Sequence, residues 1–163
     1  MYASMPTLKN SPRITVTQLI RLADSGPGLT RAERQDTLKN RWGFNCTCSM
    51  CAAPAEEVEK SDQRRLRIKE LNEEVQNLIS KERFRQAINR QEEMLRLIEE
   101  EKLTSLLWEN HWLLATLYSD VGDQKKTVRY AMQAYNELKD YAKGGTEMTK
   151  DIEQVEAALK TLQ

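Results

Sequence analysis

Cys46, Cys48 and Cys51 stand in the run Trp42-Gly43-Phe44-Asn45-Cys46-Thr47-Cys48-Ser49-Met50-Cys51, and they are the only cysteines in the chain. Thiolates are soft, polarisable anions. Two with one residue between them, and a third after two more, can close on one metal ion from a single tight turn. Zinc is the metal this spacing predicts, with redox chemistry or ordinary packing as the competing uses. A bridge between Cys46 and Cys48 would close a very small strained ring, and an odd number of thiols leaves one over. A closed structural zinc site takes four ligands, so three cysteines predict a site completed from elsewhere. His111 is the only histidine. It falls mid-helix in the distant half of the chain beside Trp112. Structural zinc sites draw on neighbouring ligands, so His111 is read as a surface or groove-facing residue and not as the fourth ligand.

The elements around the cysteines set their frame. The stretch from Met1 to Pro12 is polar and turn-rich. Ile14-Thr15-Val16-Thr17 alternates as a short strand does, and Asp24-Ser25-Gly26-Pro27-Gly28 reads as a loop. Thr30 with Glu33 three residues on is a capping-box pattern, which predicts a helix over 31–41. The cysteines then lie in a loop that Pro54 ends. From Ser61 the pattern changes. Ser61 and Asp62 read as caps, and Leu66, Ile68, Leu71, Val75, Leu78 and Ile79 recur at three- and four-residue steps through Lys81. A second helix carries Phe84, Ala87, Ile88, Met94, Leu95 and Ile98 inward. A third runs over 104–121 and a fourth over 125–143, stopped by Gly144-Gly145. A fifth starts near Thr146.

The expected fold is therefore mainly α: an irregular cysteine segment followed by a stack of about five antiparallel helices. A weak internal repeat supports helical hairpins. Val75, Glu82, Ala87 and Met94 recur forty residues later as Ala115, Gly122, Thr127 and Ala134. Leu114-Ala115, Tyr118, Gly122-Asp123, Ala131 and Ala134 look like a tetratricopeptide hairpin, in which small residues let paired helices approach closely. Thr127 stands where alanine is usual, and an ordinary helical bundle is the competing reading.

Composition narrows the function. Lys plus Arg and Asp plus Glu number 25 each among 163 residues. That balance gives no pull toward nucleic acid or an anionic membrane. The one basic cluster, Arg64-Arg65-x-Arg67, reads as solvating a helix surface, so a nucleic-acid-binding role is not expected. No run is long and apolar enough for a membrane span, and the start lacks the form of a secretory signal. Nucleus or cytoplasm is the expected location.

The segment Arg31-x2-Arg34-Gln35-x2-Leu38-x3-Trp42-x-Phe44-x-Cys46-x-Cys48-x2-Cys51 resembles the post-SET segment of SET-domain protein lysine methyltransferases, nearest to the SET-and-MYND type and their fungal cousins. A tetratricopeptide-like helical region follows there too. The resemblance divides the chain into 1–30, the end of the SET core and a linker; 31–56, the post-SET zinc-binding segment; and 61–163, the helical region. It implies Cys46, Cys48 and Cys51 as zinc ligands, with a fourth cysteine from an Asn-His-x-Cys motif of the SET core that this sequence does not contain. It implies Phe44 as the aromatic that packs on the adenine of S-adenosylmethionine, and Trp42 as an aromatic near the substrate-lysine channel; packing against the zinc knot is the alternative for both. Ile14 to Thr17 resembles the last SET strand, but Gln18 stands where the catalytic tyrosine would close it. The Gly-x-Gly cofactor loop that the SET core would carry ahead of that strand is missing as well. The expectation is a C-terminal portion of such an enzyme, inactive alone, with zinc bound, S-adenosylmethionine held only beside a complete SET core, and a protein substrate such as a histone. The alternative is a non-enzymatic helical-repeat interaction module, with Trp108, Trp112, Tyr118 and Tyr135 as groove aromatics that are otherwise core.

Overall fold

A computed structural model of the chain describes residues 29–142 and 149–162. The strand expected over Ile14 to Thr17, Gln18, and the glycine stop at 144–145 lie outside these residues. The described chain is six helices with no strand among the described residues.

Helix α1 (Arg31–Trp42) starts where the capping box places it. The Glu33 N–H donates to Thr30 Oγ1 at 3.3 Å, and the Thr30 N–H donates to Glu33 Oε2 at 2.7 Å. Gly43 ends the helix in the left-handed region, φ 73°, and its N–H donates to the Lys39 carbonyl. The cysteine loop follows.

Helix α2 (Ala55–Ser80) begins directly after Pro54, six residues before Ser61. Pro54 has a preset φ suited to helix entry, and Glu56 and Glu57 in the first turn favour the positive end of the helix dipole. One continuous helix thus spans residues 56 to 61. Ser61 and Asp62 do not cap α2. The Asp62 Oδ1 accepts the Arg31 N–H at 2.7 Å, so it caps α1 from another helix.

Helices α3 (Phe84–Glu100), α4 (Thr104–Asp120), α5 (Gln124–Ala142) and α6 (Thr149–Leu162) complete the stack, each packed on the one before it. Buried positions along α2 read Arg65, Ile68, Leu71 and Val75, one stripe at three- and four-residue steps. Leu66 lies about 200° round the helix from Ile68 and is exposed, against the sequence expectation. The inward place at that end of the stripe belongs to Arg65, which is not the solvated cation expected from the basic cluster. Helix α4 is buried nearly all round, because α3 and α5 cover it from both sides. Ala87, Ala115, Ala131 and Ala134 are almost fully buried and allow the close approach. Thr127 is tolerated among them because its hydroxyl donates to the Asp123 carbonyl at 2.9 Å, leaving no orphaned polar group. The core divides into a main cluster from Val75 through Val155 and Ala158, and a smaller one of Ile68, Leu71, Met94, Ile98, Leu103 and Leu106.

Candidate metal centre

The chain between Gly43 and Pro54 is a loop with a turn in which the Ala52 N–H donates to the Cys48 carbonyl at 2.9 Å. This turn brings Cys46, Cys48 and Cys51 together, with their three sulfurs within 4.8 Å of one another. Cys51 is buried, Cys46 half-buried and Cys48 exposed. Tetrahedral zinc with bonds of 2.3 Å sets its sulfurs about 3.8 Å apart, so a small inward closure would seat one ion. The donor set fits zinc in kind as well as spacing.

Helix α1 turns one face onto this loop, and the face is the Arg-x2-Arg-Gln pattern. Arg31 Nε donates to the Cys51 carbonyl at 2.8 Å. Arg34 Nη2 lies 3.9 Å from Cys51 Sγ, and its Nη1 donates to the Leu29 carbonyl. The Gln35 amide pairs with the backbone of Cys46 on both sides: Nε2 donates to the carbonyl at 2.7 Å, and Oε1 accepts the N–H at 2.8 Å. Residues three and four apart share a helix face, which is why these three side chains converge. Three thiolates on a divalent ion leave one surplus negative charge, and the Arg34 guanidinium sits where it offsets that charge.

The thiols differ in acidity. The Cys51 N–H donates to Cys48 sulfur, and with the thiols of Cys46 and Cys51 it draws Cys48 down to about 7. Burial pushes the Cys51 thiol up, against the pull of Arg34. A metal ion would deprotonate both, since only thiolates ligate.

No fourth His, Cys, Asp or Glu joins the cluster among the described residues. His111 is elsewhere, as expected, but it is not a surface residue. It is 3% exposed, its Nδ1 lies 2.6 Å from Glu137 Oε2, and its ring stacks on Tyr130. It forms the floor of an open groove of about 640 Å³ between α3 and α5, lined also by Arg96, Arg129 and Gln133. Trp112 and Tyr118 are buried in the core, and Trp108 and Tyr135 pack against it. Of the two aromatics before the cysteines, Phe44 is 50% exposed. Trp42 is the last residue of α1, and its side chain lies outside the described part. Phe44, two residues before Cys46, and Met50, just before Cys51, are both exposed.

A second group of residues supports the loop and is not evident in the sequence. Arg65, 1% exposed, reaches Met50 Sδ at 3.3 Å and the Leu29 carbonyl at 3.2 Å. Its Nε lies 2.9 Å from Glu101 Oε2, and Arg64 Nε lies 2.6 Å from Glu101 Oε1. Ser61 Oγ donates to the same carboxylate at 2.6 Å. Lys69 of α2 pairs with Glu33 of α1 at 2.6 Å. The only trace of this group in the sequence is an arginine at an inward helical step. The chain matches no protein-family model, no curated protein and no solved structure.

Proposed function

We propose that the chain is the post-SET zinc knot and helical region of a SET-domain protein lysine methyltransferase, and that it transfers no methyl group by itself. The observation that carries this reading is the α1 face of Arg31, Arg34 and Gln35 locked onto the loop of Cys46, Cys48 and Cys51. That face accounts for the spacing of the basic helix in front of the cysteines. Zinc is the proposed metal, and the side on which Cys48 is exposed is where a partner surface would supply the fourth ligand. Phe44 is free to pack against an adenine, which fits the S-adenosylmethionine contact of the resemblance. The helical stack would border the site of a protein substrate such as a histone.

The purified chain should carry one zinc ion, and Cys48→Ser should lose it. The chain alone should give no transfer from labelled S-adenosylmethionine. Added in trans to a SET core cut before its own cysteine segment, it should restore transfer to a protein substrate. A chain without zinc that also fails to restore transfer sinks the reading. The alternative, a helical interaction module, draws on the groove floored by His111. It would be favoured by peptide binding that Arg129→Glu abolishes while zinc content stays unchanged.

A further inference from the structure

We infer that the buried Arg65–Glu101 pair is a latch that couples the cysteine loop to the turn between α3 and α4, so that the metal state of the loop is felt in the helical stack. The inference rests on the proposed zinc site for its switch, but not for the latch itself.

Four contacts converge on one guanidinium and one carboxylate. Arg65 projects from α2 and holds two points of the N-terminal segment, the Leu29 carbonyl and Met50 Sδ. Met50 is the residue before Cys51. On its other side Arg65 holds Glu101, the residue that caps the end of α3. Glu101 is buried and takes Ser61 and Arg64 as further donors. An unpaired charge in such a place is strongly disfavoured, so Arg65 and Glu101 are held in register with each other. Leu29 connects onward through Arg34, which donates to the same carbonyl and lies against Cys51 Sγ. The chain of contact is thus Cys51, Arg34, Leu29, Arg65, Glu101. Glu101 stands at the head of a turn that also carries Leu103, a member of the smaller core cluster. A loop pulled together by a metal ion fixes Met50 and Leu29, and through Arg65 it fixes the turn. A loop without metal keeps these contacts but holds Met50 and Leu29 less firmly, so that side of the latch is loosened. Coupling of this kind is reciprocal, so loosening the turn must also loosen the loop.

Hydrogen exchange read by mass spectrometry on the full chain tests this. In the zinc-loaded protein, stripping the metal with a chelator should speed exchange in the loop and also at the amides of 101–103 by about fivefold or more. In the double variant Arg65→Met, Glu101→Leu, which replaces the pair by apolar groups and can still fold, stripping should affect the loop alone. A wild-type turn indifferent to the metal overturns the latch, as does a double variant that keeps the response. A reciprocal arm needs no metal. In the chelated chain, Glu101→Gln should speed exchange at the amides of Cys46 and Ala52, and no change there overturns the latch. A chain that takes up no zinc defeats the metal reading, and the latch is then decided on this arm alone.

Discussion

At the residue scale, Gln35 exchanges two hydrogen bonds with the backbone of Cys46 and so fixes where the first sulfur points. Groups that orient a ligand without touching the metal commonly contribute ten- to a hundredfold to affinity. Gln35→Ala should therefore weaken zinc binding by roughly tenfold or more, measured by competition with a chromophoric chelator. Gln35→Glu should be no rescue, because a carboxylate can accept the Cys46 N–H but cannot donate to its carbonyl. Unchanged affinity in both variants would mean that the loop holds its shape without α1. The cysteines themselves were legible in the sequence because ligand type and spacing are local. The role of Gln35 was only half legible. It stood in a motif whose residues share a helix face, but the partner was a backbone eleven residues on. Arg65 was misread, since charge alone argued for solvent, and only a carboxylate 36 residues away makes its burial tolerable.

At the scale of elements, three helix ends share one turn. The N–H groups of Arg83, Leu103 and Asp123 donate to the carbonyls of Leu78, Ile98 and Tyr118, five residues back. Those of Glu82, Lys102 and Gly122 donate three residues back, to Ile79, Glu99 and Ser119. This is the Schellman pattern, and its C′ residue must take a left-handed conformation. Glu82 has φ 56°, Lys102 φ 54° and Gly122 φ 79°. Only the last is the residue suited to it. Glu82→Gly and Lys102→Gly should each raise stability by about 0.5–1 kcal/mol, and Gly122→Ala should lower it by about 1 kcal/mol. Thermal melts should show shifts of roughly 2–4 °C per kcal/mol. A Cβ at position 122 would meet nothing within 4 Å, so any loss there reports backbone conformation and not a clash. Lys102→Gly melting lower than wild type would show that something other than φ governs the turn. The even spacing of these turns is what the forty-residue repeat registered, two helices per period. The start of α2 was missed because Ser61 and Asp62 have the chemistry of caps, yet they serve Glu101 and α1 instead.

At the scale of the whole molecule, the cysteine segment and the helical stack are not independent bodies joined by a linker. Contacts cross between them: the Lys69–Glu33 ion pair, and the Arg65 hydrogen bonds to the Leu29 carbonyl and to Met50 Sδ. Acid should expose this. The Lys69 ammonium, with the Thr30 hydrogen bonds, draws Glu33 down to about 2. Burial pushes Glu101 up, but Ser61, Arg64 and Arg65 outweigh it and hold the carboxyl below its ordinary range. A carboxylate whose folded pKa lies below its unfolded value contributes stability in full above the unfolded value. It loses that stability as pH falls through the folded one. For both residues the loss begins near the ordinary carboxylate range and, for Glu33, continues toward pH 2. General protonation of 25 acidic residues also destabilises the fold in acid by net positive charge, so the two effects must be separated. The double variant Arg65→Met, Glu101→Leu removes one charge of each sign and leaves the net charge unchanged. Replacing a buried pair by apolar groups is often neutral or stabilising at neutral pH. Urea midpoints of the chelated proteins, measured from pH 7 to pH 3, should therefore start close together and diverge below about pH 4.5. The wild type should fall faster, because protonating Glu101 leaves the Arg65 charge buried without its partner. Parallel curves would mean that Glu101 titrates alike in the folded and unfolded chain.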